Sequence, residues 1–88
     1  MKVAFKNSFL KELKKLKSNA LKTSIAETIV QVEGAENLSQ IKNLKKLSGY
    51  SVHYRIRLGD YRIGIKIENE LVYFVVFEHR KDIYKRFP

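Results

Sequence analysis

Arg55 and Arg57 alternate with Tyr54, Ile56 and Leu58, and beyond Gly59-Asp60 the residues Arg62, Gly64 and Lys66 alternate with Tyr61, Ile63, Ile65 and Ile67. A period of two marks strands with one buried face, so the basic residues share the other face. Gly59-Asp60 suits a two-residue type II′ hairpin loop, with glycine in the position that needs positive φ. Leu58 then pairs with Tyr61, and the register sets Arg57 opposite Arg62, Arg55 opposite Gly64 and His53 opposite Lys66. Like charges directly across a sheet are unfavourable unless they splay into water or an anion lies between them. Guanidinium groups present planar donor forks that match phosphate oxygens in two-point fashion, so the chemistry this face suggests is phosphodiester binding. Gly64 supports that expectation, because a glycine inside a strand marks a close approach by another backbone or a ligand. A solvated sheet face would also carry basic residues, but here three arginines, a lysine and a glycine cluster while the acidic residues lie elsewhere.

Acid–base candidates are few. His79, at the end of the run Leu71 to Phe77, is the side chain whose ordinary pKa lies nearest neutrality, and His53 is one more polar residue on the basic face. A two-residue bend at Glu68-Asn69-Glu70 would put His79 on the arginine face, and a three-residue bend would put Arg80 there. Tyr84 follows Arg80 by four residues, so a helical turn would bring both to one side; packing of the tail beside Ile83 and Phe87 is the alternative for Tyr84.

The elements that must position these groups fit one small domain, residues 1–88, with a net charge of +9. With no cysteine there is no disulfide framework or thiolate nucleophile, and two histidines make no convincing zinc site; no metal or cofactor is expected. The longest apolar run falls far short of the ~20 residues that span a bilayer, and the amino terminus lacks a signal-peptide pattern, which points to a cytoplasmic protein. The charge selects anionic partners. Lys2 to Lys6 read as a short strand, and Asn7 or Ser8 opens a helix carrying Phe9, Leu10, Leu13 and Leu16. A second helix from Ser18 carries Leu21, Ile25, Ile29 and Val32 and stops near Gly34. Ala35 to Gly49 is mixed, with one possible helical turn at Ser39 to Asn43. The strand, helical hairpin and antiparallel three-strand meander make an α+β fold with helices over one sheet face. Lys81 to Phe87 form a basic tail of one or two helical turns.

The words Leu44-Lys-Lys-Leu-Ser-Gly49, Tyr54-Arg-Ile-Arg-Leu-Gly-Asp-Tyr-Arg-Ile63 and His79-Arg-Lys-Asp-Ile-Tyr84 resemble the RelE/ParE superfamily of toxins from toxin–antitoxin systems, and the likeness covers nearly the whole chain. RelE-like members cleave messenger RNA in the ribosomal A site, and ParE-like members inhibit DNA gyrase on a similar scaffold. The resemblance implies a metal-independent endoribonuclease whose phosphate-holding cations are Arg55, Arg57 and Arg62. By the same analogy Tyr84 accepts the 2′-hydroxyl proton and Arg80 stabilises or protonates the leaving oxygen, with the Arg80–Tyr84 spacing tighter than in the best-known member. Lys45, Lys46, His53, Lys66, His79, Lys81 and Lys85 are candidate RNA contacts. The implied partners are a cognate antitoxin in a hetero-oligomer, and the ribosome with its mRNA, and not a membrane. A ParE-like gyrase inhibitor and a non-catalytic RNA-binding module are the competing readings. Most of the tyrosines sit at apolar positions, which counts against a module built on base stacking.

Overall fold

The computed structural model describes residues Met1–Pro88. The chain runs β1 (Lys2–Phe5), α1 (Asn7–Lys15), α2 (Asn19–Gly34), a 3₁₀ turn (Leu38–Gln40), β2 (Leu44–Lys46), β3 (His53–Leu58), β4 (Tyr61–Glu68), β5 (Leu71–His79) and α3 (Ile83–Arg86). The sheet order is β1-β5-β4-β3-β2, with β1 parallel to β5 and every other pair antiparallel. The expected α+β order and the β3–β5 meander are present. The mixed segment contributes two further features: the 3₁₀ turn and the edge strand β2, whose two lysines give no alternation to read. Lysine on a short edge strand also discourages pairing with other chains.

Two parallel strands need a long crossover, and here the helical hairpin provides it. Ser18 caps α2 by accepting from the Leu21 N–H at 3.2 Å. Ile25 and Val32 of α2 and Phe9 of α1 are buried against Ile56, Ile63, Ile65, Val72 and Phe74. Phe9 and Phe5 each bring a ring to 5.5 Å from Phe74. Because β1 pairs only with Leu71–Phe74, α1 continues along the rest of β5: the Lys6 N–H donates to the Phe74 carbonyl at 2.9 Å, and the Ser8 hydroxyl to that of Val75.

The hairpin register agrees with the sequence reading pair by pair, including Arg57 opposite Arg62 and Arg55 opposite Gly64. Gly59 takes φ +60°, as its turn position requires. The next connection is a two-residue turn in which Asn69 and Glu70 adopt φ +50° and +64°. That bend alone would place His79 on the arginine face. A β-bulge between Gly64 and Ile65 shifts the pairing by one residue, so Glu78 lies opposite Arg62 and His79 opposite Tyr61.

Candidate active site

Arg55 and Arg57 from β3, Arg62 from β4, Lys45 from β2 and Tyr84 from α3 line one open cleft of about 410 Å³, completed by Asn43 and Leu44. Lys45 joins because it is the register partner of Arg55 and so shares its face. Asn43 holds φ +62°, a conformation asparagine tolerates, and its carbonyl accepts from the Arg57 N–H at 3.1 Å. The sequence pattern alone puts Asn43 at the end of a helical turn; its identity as an αL-tolerant residue just before a strand is the signal that points elsewhere. None of the three cleft arginines forms an ion pair with a carboxylate. The Arg62 guanidinium is instead braced by the Gly59 and Tyr61 carbonyls, which accept its N–H groups at 2.7 and 2.8 Å. A carbonyl brace fixes orientation while leaving the positive charge for an incoming anion.

Tyr84 is 73% exposed, and the Arg55 guanidinium carbon sits 4.9 Å from the centre of its ring. The hydrogen bond that Arg55 offers to the ionised phenol, then its charge, and further the charges of Lys45 and Arg62, hold the Tyr84 phenol below its ordinary value of 10. Packing of Tyr84 into the tail does not occur; Ile83 and Phe87 are the tail's buried residues.

The expectation for Gly64 is corrected. Its missing side chain makes room not for a phosphate but for Phe87: a Cβ there would come within 2.7 Å of the Phe87 ring and 2.8 Å of Val76 Cγ2. Gly64 is buried, and Phe87, Ile83 and Val76 form a small second core above the arginine side of the sheet.

Both the sequence and the fold have known relatives. Residues 3–84 match the family model described as "ParE toxin of type II toxin-antitoxin system, parDE". Toxin RelE3 of Methanocaldococcus jannaschii is 38% identical, with 100% of both chains covered. The chain belongs to the RelE/ParE toxin superfamily. Its fold superimposes on a chain of the RelB–RelE antitoxin–toxin complex from Methanococcus jannaschii with a TM-score of 0.78 at 35% identity, covering 96% of this chain and 98% of the other. A RelE–RelB complex from Pyrococcus horikoshii gives a TM-score of 0.73 at 23% identity, over 90% and 93% of the two chains, a likeness of fold.

The other candidate residues of this RelE/ParE-type toxin are dispersed. His79 is on the helix-covered side, its ring edge-on to Tyr61 at 5.3 Å and its Nδ1 accepting from the Lys81 N–H at 3.2 Å. Arg80 and Tyr84 do not share a helical turn, because α3 begins only at Ile83; the Arg80 N–H instead donates to the Asp60 carbonyl at 2.8 Å, and Arg80 is not among the cleft-lining residues. Lys46 pairs with Tyr54 and so takes the opposite face from Lys45. His53 is half-buried between the rings of Tyr50 and Phe87, at 5.3 and 5.4 Å. Lys66 is paired to Glu68 at 2.9 Å, while Lys81 and Lys85 stand exposed on the tail. Arg86 is the residue that sequence reading missed: it reaches both Glu12 and Glu78. No helix is long and apolar enough to cross a membrane.

Proposed function

We propose that this toxin is a ribosome-dependent endoribonuclease that cuts mRNA in the A site. The observation that carries the reading is the cleft itself: four cationic side chains and a phenol of lowered pKa line it, and no carboxylate does. Such a surface fits the crowded negative charge of a phosphodiester in the transition state. It offers cations where a metal site would need carboxylates or imidazoles, which supports metal-independent chemistry.

The RNA 2′-oxygen attacks the adjacent phosphorus and its proton passes to the Tyr84 phenolate. The bond from phosphorus to the 5′-oxygen breaks, leaving a 2′,3′-cyclic phosphate, and the departing 5′-oxygen takes up a proton from solvent to become the 5′-hydroxyl. Arg55, Arg57 and Arg62 hold the non-bridging oxygens, and Arg55 also keeps the phenol acidic. Arg80, exposed just past β5, supplies charge to the leaving oxygen. Lys45, Lys46, Lys81 and Lys85 contribute salt-dependent contacts to ribosomal RNA. A cognate antitoxin is the other partner, in a hetero-oligomer like the RelB–RelE antitoxin–toxin complex of Methanococcus jannaschii.

The test is cleavage of a translated message by purified toxin and ribosomes, mapped by primer extension. Wild type should cut within codons. Tyr84→Phe and Arg62→Ala should each lose at least ~100-fold in rate while keeping the wild-type circular dichroism. In Arg55→Gln the phenol returns toward its ordinary value, so the rising limb of the pH–rate profile should move to higher pH. Intact messages together with gyrase-dependent DNA damage would replace this reading with the ParE-like one.

A further inference from the structure

We propose that Arg86, held between Glu12 of α1 and Glu78 of β5, is a positioning residue that sets the angle at which α3 presents Tyr84 to the arginine cleft. The inference rests on the reading of Tyr84 as the proton acceptor. Its geometry begins with the shortness of α3. The Lys85 N–H to Asp82 carbonyl bond at 3.1 Å and the Phe87 N–H to Ile83 carbonyl bond at 2.9 Å close this four-residue turn, far too short a helix to hold its shape unaided. Ile83 and Phe87, four residues apart on one side of the turn, are both buried beside Val76. Two anchors on one line fix where the turn lies but leave it free to roll about that line. Tyr84 supplies no third anchor, since it is exposed and touches the cleft through the Arg55 guanidinium.

Arg86 does supply one. Its guanidinium contacts a carboxylate from the first helix and another from the end of β5, tying the tail turn both to the strand just before it and to a helix far away in sequence. The two carboxylates lie side by side: burial, then the neighbouring Glu78, raise the Glu12 carboxyl above its usual range, and Arg86 opposes that rise. Without the guanidinium the pair would repel, and both it and the turn would shift. The same contact also draws Glu78 toward Arg86 although Glu78 is the register partner of Arg62, which leaves the Arg62 charge unquenched.

The experiment compares wild type, Arg86→Met and Arg86→Lys, each with and without Tyr84→Phe, so that the Tyr84 phenol titration is read as a difference in ultraviolet absorbance. In folded Arg86→Met the Phe87 amide should exchange at least ~10-fold faster, as a local opening frees it. The Tyr84 titration should move up toward the ordinary tyrosine value. On ribosomes kcat should fall about 10- to 100-fold while KM stays within about two-fold, the signature of a displaced reacting group, and Arg86→Lys should recover part of the loss. An unchanged Tyr84 titration and unchanged Phe87 exchange in folded Arg86→Met overturn the proposal. If Arg86→Met does not fold, Glu12→Gln must show smaller shifts of the same sign, and no shift there is equally fatal. Should Tyr84→Phe alone leave cleavage intact, the catalytic reading fails, yet the titration and exchange still decide what Arg86 does.

Discussion

The two faces of the β3–β4 hairpin come from one alternating sequence and are used in opposite ways. On one face Ile56, Ile63 and Ile65 are sealed under α1 and α2 together with Val72 and Phe74. On the other, Arg55, Arg57 and Arg62 face an open cleft, and the cover is confined to the α3 turn with Ile83 and Phe87 and to Leu47 and Tyr50 beside it. The Arg57–Arg62 pair opposes folding by about 0.2–1 kcal/mol, and the apolar face offsets it many times over. Strand alternation thus lets a small domain carry an unfavourable charge cluster, because the two faces of each strand are energetically separate.

The largest effect that tests this contrast should come from the apolar face. Phe74→Ala removes the ring on which Phe5 and Phe9 both pack, and should lower stability by about 3–5 kcal/mol in urea unfolding. A loss below ~1 kcal/mol would mean that the helices do not depend on this face. The second effect belongs to the arginine side. Gly64→Ala forces a Cβ against Phe87 and Val76, so it should lower stability by about 1–3 kcal/mol and shift the Phe87 ring resonances first. A phosphate-binding role for the Gly64 gap predicts instead full stability with weakened RNA binding.

The hairpin was legible because its determinants are local: Gly59-Asp60 sets the loop, the loop sets the register, and the register assembles Arg55, Arg57 and Arg62. Both long helices were legible from the spacing of Phe9, Leu13, Leu21, Ile25 and Val32. What escaped depends on pairing across distance. The same Gly64 that hinted at a close approach also marks the bulge that turns His79 away from the cleft, and sequence does not say whether the approaching group is a ligand or the chain's own Phe87. The three-residue β2 has no period to detect, and Lys45 enters the cleft only through its pairing with Arg55. Arg86 looked like one more tail cation because its partners, Glu12 and Glu78, come from other elements.

The smallest predicted effect lies at the seam between the faces, where Glu12 of α1 meets Glu78. Burial and the neighbouring carboxylate raise the Glu12 pKa in the folded chain above the ordinary 4.5 that the unfolded chain would show, and Arg86 only partly opposes this. The folded state therefore holds the Glu12 proton more tightly than the unfolded state does. The resulting stabilisation is complete below the unfolded value and disappears as pH rises through the folded one, the reverse of a carboxylate whose pKa is depressed by an ion pair. Glutamine mimics the protonated acid at every pH, so the stability of Glu12→Gln relative to wild type should rise as pH climbs from below 4.5 through the raised folded value, as thermal unfolding of both proteins would show. A relative stability that falls over that interval would mean that Arg86 holds Glu12 ionised outright. In that case the guanidinium would be acting chiefly as its counter-ion, and the seam would be an ion pair in place of a shared-proton contact.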